Sequence, residues 1–133
     1  MLNNQIALVT GASRGIGAAI AKTLGTQGAT VIGTATSANG ADAITAALKA
    51  ANVKGIGLAL DVTQPEQVDA VLKQIAELYG DVGILVNNAG ITKDSVFRKM
   101  TPEQWKAVID TNLNSLFNVT KQVVDGMADG VVV

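Results

Sequence analysis

The residues able to do chemistry lie in a few short stretches. The first is TGASRGIG, Thr10 to Gly17, directly after the apolar run IALV. Gly11 can turn sharply with φ > 0, which a Cβ would penalise. Gly15 and Gly17 let backbone N–H groups and a helix start approach a diphosphate, and that helix end carries about half a positive charge. Arg14 adds a cation among them. Taken alone, the turn is also explained by tight strand–helix packing, and Arg14 by a solvated loop. Because the stretch follows a strand, opens a helix and begins a βαβ unit, nucleotide binding is the expected role.

The second stretch is VIGTATSANG, Val31 to Gly40, which holds no carboxylate. A site for an unphosphorylated dinucleotide places Asp or Glu near the end of this strand to hold the ribose 2′-hydroxyl. Here a 2′-phosphate meets the hydroxyls of Thr34, Thr36 and Ser37, and Arg14 can supply a charge-assisted contact. The pattern points to NADP(H). Asp61, closing LALD, can accept from an adenine amine or serve only as a turn aspartate. NNAG, 87–90, ends a fourth strand, where Gly90 allows close backbone approach and the asparagines can brace neighbouring loops; a plain polar turn reads the same way.

The elements that must hold these residues follow from periodicity. Residues 5–10, 29–35, 54–60 and 82–88 are short, β-branched and apolar nearly throughout, as parallel strands covered on both faces are. Between them, 15–28, 39–52 and 64–80 have helical period, the last with Val68, Val71, Leu72, Ile75 and Leu78 on one stripe. TPEQ (101–104) opens a longer helix with a capping box. Its expected inward stripe is Trp105, Val108, Ile109, Leu113, Leu116, Phe117, Val123 and Val124. GVVV (130–133) starts a fifth strand, whose three valines are expected to form an exposed, association-prone edge. The alternation predicts one dinucleotide-binding domain over residues 1–133, a Rossmann-like doubly wound parallel α/β sheet cut after the start of that strand.

Composition limits the chemistry. With 48% hydrophobic residues the chain can fill a core, and Lys+Arg 10 against Asp+Glu 11 leaves no basic field for nucleic acid or a membrane surface. Cysteine and histidine are absent, which excludes disulfides, Cys/His metal sites and histidine acid–base catalysis. Without a signal peptide or membrane span, a soluble, cytoplasmic protein is expected.

TGASRGIG, LDV and NNAG, in this order and spacing, resemble the motifs of the short-chain dehydrogenase/reductase family, and the resemblance covers essentially all 133 residues. Residues 1–92 are similar to bacterial 3-oxoacyl-acyl-carrier-protein reductases. VFRKMTPEQWKAVIDTNLNSLFNVTKQVVDGMAD is similar to acetoacetyl-CoA reductases. The resemblance implies NADPH-dependent reduction of a 3-oxoacyl thioester carried on acyl carrier protein or CoA. It implies cofactor contacts at Gly11, Ser13, Arg14, Gly15, Ile16 and Gly17, with Arg14 and Thr36 near the 2′-phosphate. Asp61 and Val62 would meet the adenine, and Asn87, Ala89 and Gly90 the adenosine ribose and nearby backbone. It further implies a homodimer or homotetramer assembled through helix 102–127.

Asn112 matches the helix asparagine of the family's Asn-Ser-Tyr-Lys tetrad. On the expected inward stripe an asparagine is costly unless satisfied, so a kink or π-bulge is predicted there, holding water through the side chain or a freed carbonyl. A buried asparagine bonded to an adjacent loop is the plainer account. The tetrad's serine and Tyr-x-x-x-Lys have no counterpart: Tyr79 is the one tyrosine, and Gly83 stands four places on. Three readings follow: the N-terminal part of a full reductase, a nucleotide-binding half-domain without turnover, or an α/β scaffold with idle motifs. The chain by itself is expected to be inactive.

Overall fold

In the computed structural model, residues 1–90, 97–127 and 129–133 are described. Strand β1 (Ile6–Val9) leads through α1 (Gly15–Thr26) to β2 (Thr30–Ala35), and α2 (Ala38–Ala50) to β3 (Gly55–Ala59). Helix α3 (Pro65–Leu78) returns to β4 (Ile84–Val86). The last connection is α4 (Pro102–Ile109), a π-helical turn (Asp110–Asn114) and α5 (Ser115–Asp125), ending at β5 (Val131–Val132). The strands form one parallel sheet in the order β3-β2-β1-β4-β5. This is a Rossmann-like α/β fold.

Strand side chains alternate between two cores. Ala7, Val9, Val31 and Val86 pack with Ala21 of α1 and Ile44 and Leu48 of α2. Leu8, Ile32 and Leu85, their neighbours along the strands, pack on the other face with Val68, Val71 and Ile75 of α3 and Val119 and Val123 of α5. A period-two backbone with both faces covered requires such unbroken apolar strands. The assigned strands stop short of the predicted ones while the hydrogen bonding continues: Thr10 N donates to Val86 O (3.1 Å), Leu60 N to Ala35 O (2.8 Å) and Val133 N to Leu85 O (2.8 Å). Residues at these ends are already turning away from the pleat toward the loops.

The C-terminal helix departs from the predicted stripe. Only Ser115, Val119 and Val123 of α5 are buried, and α4 buries none of its residues. Trp105, Leu113, Leu116, Phe117 and Val124 are exposed, as is Asn112. The π-turn explains the slip beyond it: one extra residue rotates everything downstream by about 100° relative to a uniform α-helix. The expected exposure of the closing valines is found, with Val131, Val132 and Val133 all accessible. Among the described residues no helix is long and apolar enough to cross a membrane, and no His/Cys/Asp/Glu group could hold a metal.

Leu85 sits fully buried in the centre of the sheet. Leu85→Ala should lower unfolding free energy by about 3 kcal/mol in urea denaturation, the usual cost of a buried leucine cavity. A loss below about 1 kcal/mol would show that this face is not close-packed.

Candidate functional site

Where the strand order reverses, between β1 and β4, the outgoing connections leave toward opposite faces and open a crevice at the carboxyl ends. The loops after β1 and β4 meet there and are tied by side chains. The Thr10 hydroxyl accepts from Asn88 N and Ala89 N, both at 3.0 Å. Asn88 Nδ2 donates to Gly11 O at 2.9 Å. Thr10 is buried, so two main-chain donors and one side-chain acceptor satisfy each other out of water.

The glycine turn has the geometry its residues predict. Gly11 has φ +64, and a Cβ there would fall 2.9 Å from Ala89 Cα. At Gly17 a Cβ would land on the Gly11 carbonyl and the Asn88 amide. Gly15 differs: its φ is +60, yet nothing lies within 4 Å of its missing Cβ. That side of the turn is open, as a cradle for an incoming group must be.

Arg14 is the N-cap of α1, fully extended and without a side-chain cap bond. Its guanidinium pairs with no described carboxylate. Neither α1 nor α2 carries an acidic side chain in its first turn, so neither helix start is neutralised by a carboxylate of its own first turn. Ser13 and Ile16 are exposed beside Arg14, Ile16 to 74%.

Across the turn lies the end of β2. Thr36 and Ser37 are exposed there, but Thr34 is 1% accessible and buried in the strand. The expectation that Thr34 meets a phosphate is therefore corrected. Its side chain falls on a covered face of the pleat, whereas Thr36 lies beyond the strand's end. Ser37 caps α2, its oxygen accepting from Gly40 N at 3.0 Å.

Asp61 is a turn aspartate: Oδ1 accepts from Thr63 N (2.9 Å) and Thr63 Oγ1 (2.6 Å), while its own N–H donates to Gln67 Oε1 (3.0 Å). These bonds engage Oδ1 of the carboxylate. Val62 beside it is buried. Asn87 donates from Nδ2 to Thr120 Oγ1 of α5 (3.1 Å) and from its backbone to Val133 O (2.8 Å), joining β4, α5 and β5. Ala89 and Gly90 complete the loop. Thr10 and Thr120 were not picked out from the sequence as site-forming residues. A threonine closing a buried strand is a usable signal for the first, whereas Thr120 lies 33 residues from its partner and has no local one.

The predicted irregularity at Asn112 is present: residues 110–114 form a π-turn, with Ser115 N reaching back to Asp110 O. The Ser115 hydroxyl donates to the Thr111 carbonyl within it. Asn112 lies beside Gly90, its Oδ1 3.1 Å from the position a Cβ would take there. It is exposed rather than inward, so the premise of a buried asparagine is corrected while the π-turn stands. The turn is bracketed by Asp110, whose carboxylate accepts from Lys106 on one side and from Asn114 Nδ2 (2.8 Å) on the other.

Lys106, and after it Asn114, hold the Asp110 carboxyl below its ordinary value. A depressed folded pKa gives stability that is present above the ordinary carboxylate range and lost as pH falls through the lowered value. Acid titration followed by Trp105 fluorescence should show this local loosening, and Asp110→Asn should abolish it; superimposable curves would contradict the bracket. Thr10→Val strands the Asn88 and Ala89 N–H groups and should cost about 2–4 kcal/mol in denaturant unfolding. Wild-type stability in that variant would show that the clamp contributes nothing.

Comparison with known proteins agrees with this arrangement. The family profile described as short chain dehydrogenase matches residues 5–133. The chain is 54% identical over 126 residues to the 3-oxoacyl-[acyl-carrier-protein] reductase FabG of Pseudomonas aeruginosa, covering 95% of this chain and 51% of that protein. It is 54% identical over 123 residues to the enzyme of the same name from Escherichia coli, covering 92% and 49%. The Haemophilus influenzae enzyme is 48% identical over 126 residues, covering 95% and 51%. The chain thus spans about half the length of the curated relatives it matches. A dinucleotide-type crevice, three ordered motifs and a profile match from the first strand to the last residue place the chain in the short-chain dehydrogenase family of oxidoreductases.

Proposed function

We propose that this chain forms the NADPH-binding half of a reductase that converts 3-oxoacyl thioesters on acyl carrier protein to 3-hydroxyacyl thioesters. The observation that carries the reading is the open, acid-free cradle: the Gly15 side of the turn, an Arg14 that pairs with no described carboxylate, and a β2 end without carboxylates. The relatives' names supply the substrate class. CoA as the carrier is the second choice, favoured by the likeness of residues 96–129 to acetoacetyl-CoA reductases.

The residues fit a phosphorylated dinucleotide. First-turn N–H groups of α1, with Gly11, Ser13, Gly15, Ile16 and Gly17 around them, would receive the diphosphate. Arg14 and Thr36 would hold the 2′-phosphate. The second oxygen of Asp61 would accept from the adenine amine, with Val62 as its apolar neighbour. Asn87, Ala89 and Gly90 would line the adenosine ribose. NADPH would supply a hydride to the substrate ketone. Asn112, at the π-turn beside Gly90, would hold a water for proton delivery.

The proton donor that the family uses, Tyr-x-x-x-Lys, is not among residues 1–133. We therefore assign cofactor binding without ketone reduction to this stretch, and turnover to a chain that joins it to the remainder of the relatives' length. A cytoplasmic setting follows from the substrate class. The exposed apolar side chains Trp105, Leu113, Leu116 and Phe117 suit a homodimer or homotetramer.

Titration calorimetry should give clear NADPH binding and at least tenfold weaker NADH binding. Arg14→Ala should weaken NADPH about tenfold, the size of one charge-assisted contact, and leave NADH unchanged. Equal affinity for both nucleotides would overturn the 2′-phosphate assignment. Light scattering should give a mass above one chain, and a monomer at micromolar concentration would count against the assembly.

A further inference from the structure

The same cradle contains a chemically labile pair. Asn39-Gly40 is the only Asn-Gly sequence in the 133 residues. It occupies the first turn of α2, with Asn39 exposed. Asn-Gly is the dipeptide most prone to self-cyclisation, because glycine puts no side chain in the way of its own attacking nitrogen. The Gly40 N–H lies outside the helical ladder, which begins with Ala41 N donating to Ser37 O (3.0 Å). Its partner is a single exposed hydroxyl, Ser37 Oγ, at 3.0 Å. Beyond the first-turn backbone conformation, one surface hydrogen bond restrains the nucleophile.

The position gives this lability a consequence. A Cβ on Gly40 would stand 3.7 Å from Ser13 Cβ and 2.7 Å from Ala35 Cβ, so the start of α2 is seated against both the glycine turn and the end of β2. We propose that Asn39 is a deamidation site whose product reverses the charge logic of the cofactor cradle, turning an acid-free β2–α2 junction into an acidic one. The inference rests on the NADPH reading above.

The chemistry balances with water as the only co-reactant. Deprotonated Gly40 N attacks Asn39 Cγ, a C–N bond forms, and the side-chain amide leaves as ammonia. Water then opens the succinimide at either carbonyl, giving aspartate or isoaspartate, with a carboxylate in both. The change is not opposed by the helix, since a negative charge in a first turn is favourable. The penalty falls on a phosphate sharing the junction. The isoaspartate form also adds a methylene to the backbone, displacing the Ser37 cap.

Peptide mass mapping of the chain aged at mildly alkaline pH should show amide-to-acid conversion at Asn39 ahead of every other asparagine. Ser37→Ala, which frees the Gly40 N–H, should accelerate it. In calorimetry, Asn39→Asp should bind NADPH about fivefold more weakly, the upper range for an exposed charge pair, with NADH unaffected. Aged wild type should drift in the same direction while aged Asn39→Gln does not. Persistence of intact Asn39 while other asparagines convert overturns the modification site. A fresh chain that binds NADPH, with Asn39→Asp binding it equally well, overturns the charge reversal alone. A fresh chain that binds neither nucleotide instead sinks the cofactor reading, and the selectivity effect with it.

Discussion

The hydroxyl of Thr10 is the point on which the site depends. A doubly wound sheet opens a crevice wherever strand order reverses, but a crevice between two independent loops has no fixed shape. Thr10 removes that freedom by accepting from consecutive N–H groups of the β4 loop, while Asn88 returns a donor to the β1 loop. The two loops become one rigid rim. Gly11 and Gly17 are then dictated by contact, because the rim passes too close for a Cβ at either. Of the three, Gly15 alone faces open space.

Electrostatics follow from the same geometry. Two helix starts, α1 and α2, approach each other at the turn, seated together through Ser13, Ala35 and Gly40. Neither brings an acid, and Arg14 extends from the first. Two helix starts without first-turn acids and one arginine thus stand together at the turn, an arrangement that suits the dinucleotide proposed above. The π-turn shapes the other flank. It interrupts a helix that would otherwise be regular and brings Asn112 beside Gly90, with Asp110 linked to the turns before and after.

Much of this was legible from residue types and spacing. Unbroken apolar strands, the Thr101 capping box, the reversal-point glycines and the irregularity at Asn112 all depend on local chemistry, and each is found. The failures have separate causes. Helical phase across 105–124 was read with a constant period, and the π-turn shifts that phase, so Leu113, Leu116 and Phe117 face outward and Ser115 inward. Thr34 lies inside the strand expected over 29–35, but its side chain falls on a covered face of the pleat, so it does not reach the strand end where Thr36 is exposed. Thr120 stayed hidden because its contact with Asn87 exists only once α5 lies over the sheet. Residues 91–96, part of the stretch matched to the reductases, lie outside the described residues.

The central claim is that the rim between β1 and β4 receives a 2′-phosphorylated dinucleotide. The most direct measurement is backbone amide chemical-shift mapping of the chain titrated with NADPH. The account predicts perturbations concentrated at Gly11 to Gly17, Thr36, Asp61 to Val62 and Asn87 to Gly90. Perturbations confined to the amino ends of the strands, around Asn3, Gly28, Lys54 and Asp81, would contradict it.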